Sequence, residues 1–544
     1  MSLRNPGDLK IKGRQKAAAD AQAIVRPRVS LLHYAPALVL LLIVAADSAQ
    51  FPDSDLWGHL RFGHAAIVTG HVIARDTYSY SAAGAVWRNH EWLSEIVMAA
   101  LYNNLGVVGL KLWKFTCAAV TLTMMALGMA ETGASPAIQL STLTLAALAM
   151  VPQNQFRPQI FTFMLSSAML ALLARDNYRG RAPLWLIIPM MALWGNLHGG
   201  FIIGIATLAV YTGVRGLQDL IAGRGLGRAL QLGLITVAGT LATLISPYRI
   251  EAWLVVLNAL RDYAAQPIIM DWQPLLHTIA FGWHINSADI IFLVCGLSMM
   301  VAFAIAFIRQ PRGGDLPLAA IAAMLSVAAF TAVRNLPLAV IACAAPLSRH
   351  AGLIAARRRR LASAPATAGD PAAAAPMDDR SGLNPWLAAS VAIVLAIFGG
   401  LFSPRLVVGT DSPVGAVAFI RAHGLHGNLL SNFASGEYLI WHLPDSRVLI
   451  DGRYDTVYPG KVVNQYLAFI NGRPNALSVL RAYPHDLVLL PRDSPALEVM
   501  AQAPEWKIIY RDRNWVLFAP INSAAAEMHG IPVEGTPPSA SYFP

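Results

Sequence analysis

Apolar stretches long enough to cross a bilayer recur from residue 31 to residue 402 of this chain. In hydrocarbon the backbone finds no outside hydrogen-bond partner, so these stretches can only be helices. Of the 544 residues, 56% are hydrophobic and 13% charged, and the mean hydropathy is +0.49, so the apolar character belongs to most of the chain and not to one anchor. A soluble enzyme, a disordered chain and a secreted disulfide scaffold are excluded. Cys117, Cys295 and Cys343 all lie inside apolar runs, so neither a cysteine zinc site nor a disulfide framework is expected.

The pattern predicts a polytopic, mainly α membrane protein of about 11 transmembrane helices. The spans fall near 31–46, 107–130, 136–151, 158–174, 183–196, 200–216, 229–246, 288–308, 316–332, 336–349 and 384–402. Lys and Arg divide unevenly between the loops that these spans create. One side holds 21: the basic tail 1–30 carries Arg4 to Arg28, the segment after the tenth span carries the run Arg357 to Arg360, and three further loops supply the rest. The other side holds seven, Arg61, Arg75, Arg88, Arg157, Arg249, Arg261 and Arg334. Basic residues stay in the cytoplasm, so the N-terminus is predicted inside and residues 47–106 form a long external loop. Topology thus accounts for the net charge of +10, and no basic stripe interleaved with aromatics speaks for nucleic acid.

The transmembrane body is predicted to cover 31–360, followed by a disordered Ala/Pro-rich cytoplasmic linker over 361–383 and the last span at 384–402. Residues 403–520 alternate short β-type runs (429–431, 447–450, 486–490, 507–510, 515–518) with helical segments (414–423, 461–470). That alternation predicts a small external α/β domain, and 521–544 reads as a flexible tail. Within the external loop, 93–105 is apolar but too short to span, and is predicted to lie along the membrane surface.

Polar residues at span ends collect on the external face. Asp53 and Asp55, two carboxylates at i and i+2, suit either a divalent metal held by hard oxygen ligands or a general base with an orienting partner; the plainer reading has Asp55 capping the next helix. His90 and Glu91 add a titratable imidazole and another acid, or simply belong to an interfacial segment anchored by Trp92. Arg157, Gln159, His198 and Arg334 lie at other external span ends and together suit an anionic phosphate, although each alone could be a snorkelling or helix-linking residue. Asp451 to Asp455 follows a predicted strand, where a turn held by an internal ion pair is at least as good a reading as a role in the site.

The acidic motif Asp53 to Leu60, Tyr78-Ser79-Tyr80, Trp87 to Glu95, Arg157-Pro158-Gln159, Asn196 to Gly200 and Asp451 to Asp455, with the external α/β tail, resemble the GT-C class of integral membrane glycosyltransferases, over roughly residues 31–520. The resemblance implies an enzyme of the bacterial inner membrane that takes a polyprenyl-phosphate-linked sugar and moves it, with inversion, to a glycan, lipid or protein acceptor among the membrane lipids of the outer leaflet. It implies that Asp55, or Asp53, deprotonates the acceptor, that His90, Glu91, Arg157, Gln159, His198 and Arg334 bind substrate, and that Mg or Mn joins Asp53 and Asp55 in those members that need a metal. No sequon-binding motif is recognisable. A lipid or sugar-lipid transporter and a noncatalytic envelope-assembly protein are the alternatives; no internal repeat supports the former.

Overall fold

The computed structural model describes residues 51–262, 270–280, 287–362, 405–409, 411–528, 533–535 and 541–544. The expected spans 31–46 and 384–402, the basic tail 1–30 and most of the linker 361–383 lie outside these residues.

The body is helical: α1 (Leu56–Thr69), α2 (Trp92–Ala130), α3 (Pro136–Leu148), α4 (Gln159–Arg179), α5 (Ile187–Leu197), α6 (Phe201–Ile221), α7 (Gly227–Ala242), α8 (Ile250–Asp262), α9 (Leu275–Ala280), α10 (Ser287–Arg309), α11 (Leu316–Thr331) and α12 (Leu336–Ala362). Every expected span among the described residues coincides with one of these helices. Four described helices are long and apolar enough to cross a membrane, while α3, α5, α7 and α11 are shorter than the about 20 residues a full crossing takes. Helix α8 was not expected, because Glu251, Asn258 and Arg261 interrupt its apolar run.

Helix α2 is two helices meeting at a corner. Gly106 has φ 60° and ψ −148°, a conformation open only to glycine, and it separates 92–105 from the apolar run that follows. The chain folds back so closely that a Cβ on Gly109 would strike the Leu101 carbonyl. The segment expected to lie apart from the span is therefore set off from it by one residue.

Residues beyond 405 form a six-stranded mixed sheet and a separate two-stranded one from β1 (Val407–Val408), β2 (Asn428–Ser431), β3 (Arg447–Val448), β4 (Leu487–Pro491), β5 (Trp506–Arg511), β6 (Trp515–Pro520), β7 (Val533–Glu534) and β8 (Ser541–Tyr542). The main sheet has the order β3-β2-β4-β6-β5-β7. Strand β2 runs parallel to β3 and β4, while β4, β6 and β5 are antiparallel neighbours. Leu429, Leu430, Val488, Leu489, Leu490 and Leu517 are all buried, so the near-continuous apolar runs in β2 and β4 reflect strands covered on both faces. Of the stretch expected to be flexible, β8 instead pairs with β1, and Phe543 packs 5.3 Å from Trp57 and 5.6 Å from Tyr102. An aromatic anchor holds that end in place.

The first loop and this domain form one structure. Ser79 forms a single parallel bridge with Val448 at the β3 edge, with Tyr80 N–H donating to the Val448 carbonyl (3.2 Å) and Val448 N–H to that of Tyr78 (3.1 Å). Tyr80 reaches His485 Nδ1 at 2.6 Å. Beside this seam Arg453 is buried, with Nη1 2.7 Å from Asp76 Oδ1, Nη2 2.7 Å from Asp451 Oδ2 and the rings of Phe62, Tyr78 and Trp87 about its plane at 4.9 to 5.2 Å. A desolvated guanidinium of this kind needs both carboxylates and gains further from the aromatic faces. The turn after β3 is thus held by the Asp451–Arg453 ion pair, and the same arginine fastens the domain to the loop.

Candidate active site

Asp53 begins a tight turn. Its Oδ1 accepts the Asp55 N–H at 3.0 Å, while Leu56 N–H donates to the Asp53 carbonyl at 3.1 Å. Asp55 occupies the N-cap position of α1 but makes no side-chain capping bond, so its carboxylate is free for other contacts. The turn ends where α1 begins, because Leu56, Trp57 and Leu60 are buried between α2 and the C-terminal domain. Trp57 meets Tyr438 edge-on at 5.0 Å.

Arg157 enters from the loop before α4 and binds three carboxylates at once: Nε to Asp53 Oδ1 at 2.7 Å, Nη2 to Asp55 Oδ2 at 3.0 Å and Nη1 to Asp271 Oδ2 at 3.0 Å. A planar fork with donors on all edges makes this possible, which a point-charge ammonium would not. Burial lifts Asp53 above the ordinary aspartate range; Arg157 opposes that shift and Asp55 adds to it. The Asp53 side chain is 9% exposed and that of Asp55 29%. Asp53 is thereby the anchor of the arginine, and Asp55 the carboxylate turned toward open space. Lys114 also lies here, buried, with Nζ 4.8 Å above the Phe156 ring.

The expected metal position between Asp53 and Asp55 does not fit this arrangement. A guanidinium stands where a dication would, and among the described residues no three His, Cys, Asp or Glu side chains are grouped to hold one.

Across the same space lies a second group. Glu91 Oε1 is 3.4 Å from His198 Nε2 and 3.8 Å from His90 Nε2. His198 Nδ1 accepts the Gly200 N–H at 2.9 Å, which leaves Nε2 to carry the proton and donate toward Glu91. Close approach of the Gly200 backbone is needed there, since a Cβ would collide with Thr162. Burial, opposed by Glu91, pulls the His198 imidazole down to about 3, so it is neutral. Against the upward push of burial, His90, His198, His59 and Arg334 hold Glu91 below the usual glutamate range. Behind this group His59 contacts Glu95 at 3.3 Å, and Trp92 Nε1 donates to Asn196 at 3.0 Å.

Arg334 bridges the two groups. Its Nη2 donates to Gln159 Oε1 at 3.1 Å, its plane lies 4.5 Å from the Trp272 ring, and among the described residues it has no carboxylate at ion-pair distance. Because Asp271 binds Arg157 and the adjacent Trp272 stacks on Arg334, the two arginines stand on either side of one short segment. The structure thus brings Asp53, Asp55, His90, Glu91, Arg157, Gln159, His198 and Arg334 to one face, although they come from distant parts of the chain.

Neither a family model nor a curated protein sequence matches the chain. Solved structures do. The archaeal oligosaccharyltransferase AglB from Archaeoglobus fulgidus, in complex with an inhibitory peptide and a dolichol-phosphate, superposes with a TM-score of 0.52 at 11% identity, covering 84% of this chain and 69% of that one. The fold is GT-C. An Archaeoglobus fulgidus oligosaccharyltransferase in the apo form gives 0.52 at 10% identity over the same shares. ArnT from Cupriavidus metallidurans bound to undecaprenyl phosphate gives 0.46 at 15%, covering 90% and 98%. Within the GT-C fold of this chain, the expected residues omitted Asp271, Glu437 and Asp76. Glu437 offers a faint signal as the lone acid in the apolar run Gly436 to Trp441.

Proposed function

We propose that this chain is a membrane glycosyltransferase that moves a sugar from a polyprenyl-phosphate donor to an acceptor hydroxyl, with inversion, at the face that carries the first loop and the C-terminal domain. The GT-C fold, seen in a complex of AglB with dolichol-phosphate, supports the donor class. The 21 to seven distribution of basic residues supports the outer face.

The observation that carries the reading is the unequal pair of loop aspartates. Asp53 is spent on Arg157 and the Asp55 amide, whereas the Asp55 side chain, held by Arg157 at one oxygen, remains 29% exposed against 9% for Asp53. Asp55 takes the acceptor proton as the acceptor oxygen bonds to the anomeric carbon. The bond from that carbon to the phosphate oxygen breaks, and the phosphate leaves with added negative charge. Arg334, which among the described residues has no carboxylate at ion-pair distance, is the cation that charge meets, and Gln159 fixes its direction. Arg157, expected to bind phosphate, holds the acids in place instead. Glu91 and the neutral His198 line the other wall.

Cells lacking the chain, supplied with wild type, Asp55→Asn or Asp53→Asn, provide the test. Wild type restores a cell-envelope glycan and Asp55→Asn does not. Full restoration by both variants would remove the loop from the chemistry and leave a transporter or an assembly protein.

A further inference from the structure

Glu437 belongs to the C-terminal domain, yet it reaches the Asp53–Asp55 loop. It is 4% exposed, and its Oε2 has no hydrogen-bond partner among the described residues. Two glycines make room for it. A Cβ on Gly58 of α1 would collide with the Glu437 carboxyl, and a Cβ on Gly452 would lie 2.5 Å from Glu437 Oε1 and 3.2 Å from Asp55 Oδ1. The acid therefore sits in a fitted cradle, with its Oε1 and Asp55 Oδ1 both bordering Gly452 and no hydrogen bond drawn between them.

The neighbouring charges are committed elsewhere. Arg453 is held by Asp451 and Asp76. Glu95 of α2 is held by His59 at 3.3 Å and by Asn89 at 2.5 Å. Asp55 is held by Arg157 at 3.0 Å. Among the described residues no cation lies at ion-pair distance from Glu437, and a buried carboxylate without one is too costly to stay ionised.

We propose that Glu437 is a positioning residue for Asp55: a neutral carboxylic acid, delivered by the C-terminal domain, that stands against the base and holds its carboxylate in line with the acceptor. This rests on Asp55 being the base of the proposed transfer. A neutral acid can donate a hydrogen bond to a carboxylate, whereas a second carboxylate would repel it. Burial lifts Glu437 well above the usual carboxylate range; Asp55, Asp451 and Glu95 push the same way, and Arg453 opposes. The site is then incomplete without the C-terminal domain, in a way that the Asp53 to Leu60 motif alone does not reveal.

Infrared titration of the purified full-length protein tests this without any substrate. The expected result at pH 7 is a protonated-carboxyl C=O band in wild type that is missing in Glu437→Gln, with a titration midpoint that moves to lower pH in Asp55→Asn. No band assignable to Glu437, or a midpoint indifferent to Asp55→Asn, overturns the proposal. So does loss of the band on adding Mg²⁺ or Mn²⁺ to wild type, which would make Glu437 a metal ligand. In deletion cells, Glu437→Ala is expected to lower the restored glycan about 10- to 100-fold, as a misplaced reacting group does, and the isosteric Glu437→Gln to recover most of that loss. Failure of Glu437→Gln to recover it, in protein that still melts cooperatively, counts against the positioning role. If wild type itself restores no glycan while the band and its shift are present, the transfer reading fails and the Glu437–Asp55 pairing stands.

Discussion

Arg157 Nε donates to Asp53 Oδ1 at 2.7 Å, so the first loop is fixed to the entry of α4 by the more buried of its two aspartates. The other two edges of the same guanidinium hold Asp55 and Asp271. One cation therefore sets the positions of three acids from three separate segments. Arg157→Lys keeps the charge but offers no fork, and it is expected to abolish transfer and to lower the melting temperature. Thermal unfolding and glycan restoration in deletion cells check this; full function with Lys would show that charge alone suffices.

The two loop aspartates should fail differently. Asp55→Asn removes the base and leaves the shape, so transfer is expected to fall by about two to four orders of magnitude with little change in melting temperature. Asp53→Asn weakens the anchor of Arg157, so its stability should fall together with activity. Parallel unfolding curves and transfer measurements separate the two, and a stable, inactive Asp53→Asn beside an active Asp55→Asn would reverse the roles.

Arg453 and Asp76 fasten the C-terminal domain to the loop. Arg453→Met strands two buried carboxylates, Asp76 and Asp451, and should cost about 3–5 kcal/mol. Asp76→Asn should cost less, since Asp451 still neutralises the arginine. Denaturant unfolding of the full-length protein checks the order, which would be wrong if Asp76→Asn were the more damaging.

Acid should loosen the wall made by His198. Its imidazole titrates near the ordinary value of 6.5 when unfolded and at about 3 when folded, so between those values the unfolded chain binds more protons. Stability therefore falls as pH is lowered through that window. His198→Asn, which cannot charge, is expected to flatten that part of the stability curve; melting temperatures of both proteins measured from pH 7 down to pH 4 give the comparison, and identical slopes would contradict it.

Much of this architecture is legible in the sequence because it follows from periodicity. The runs at 429–431, 447–450, 486–490, 507–510 and 515–518 become β2 to β6, and the apolar stretches between 107 and 349 become helices in the expected places. The polar residues at these span ends lie near one another. What the sequence conceals is who partners whom. Nothing in Arg157-Pro158-Gln159 says that its arginine is saturated by acids, since Asp271 is more than a hundred residues away. Glu437 and Asp76 are hidden for the same reason: each gains its meaning from a contact between the loop and the far domain. Helix α8 is obscured by its own charges, one of which, Glu251, lies 2.8 Å from Arg88 and ties it to the first loop.

The bridge between Ser79 and Val448 has a consequence for biogenesis. Ser81 Oγ bonds the Leu449 carbonyl across 368 positions, and Tyr80 bonds His485 across 405. During synthesis the loop emerges with an edge that stays unsatisfied until the C-terminal domain has been made. Both partners must also reach the same side of the membrane, so an odd number of crossings between them leaves the loop without its strand and Asp76 without Arg453. Correct insertion of the whole chain is in this way a precondition for joining the loop to the C-terminal domain.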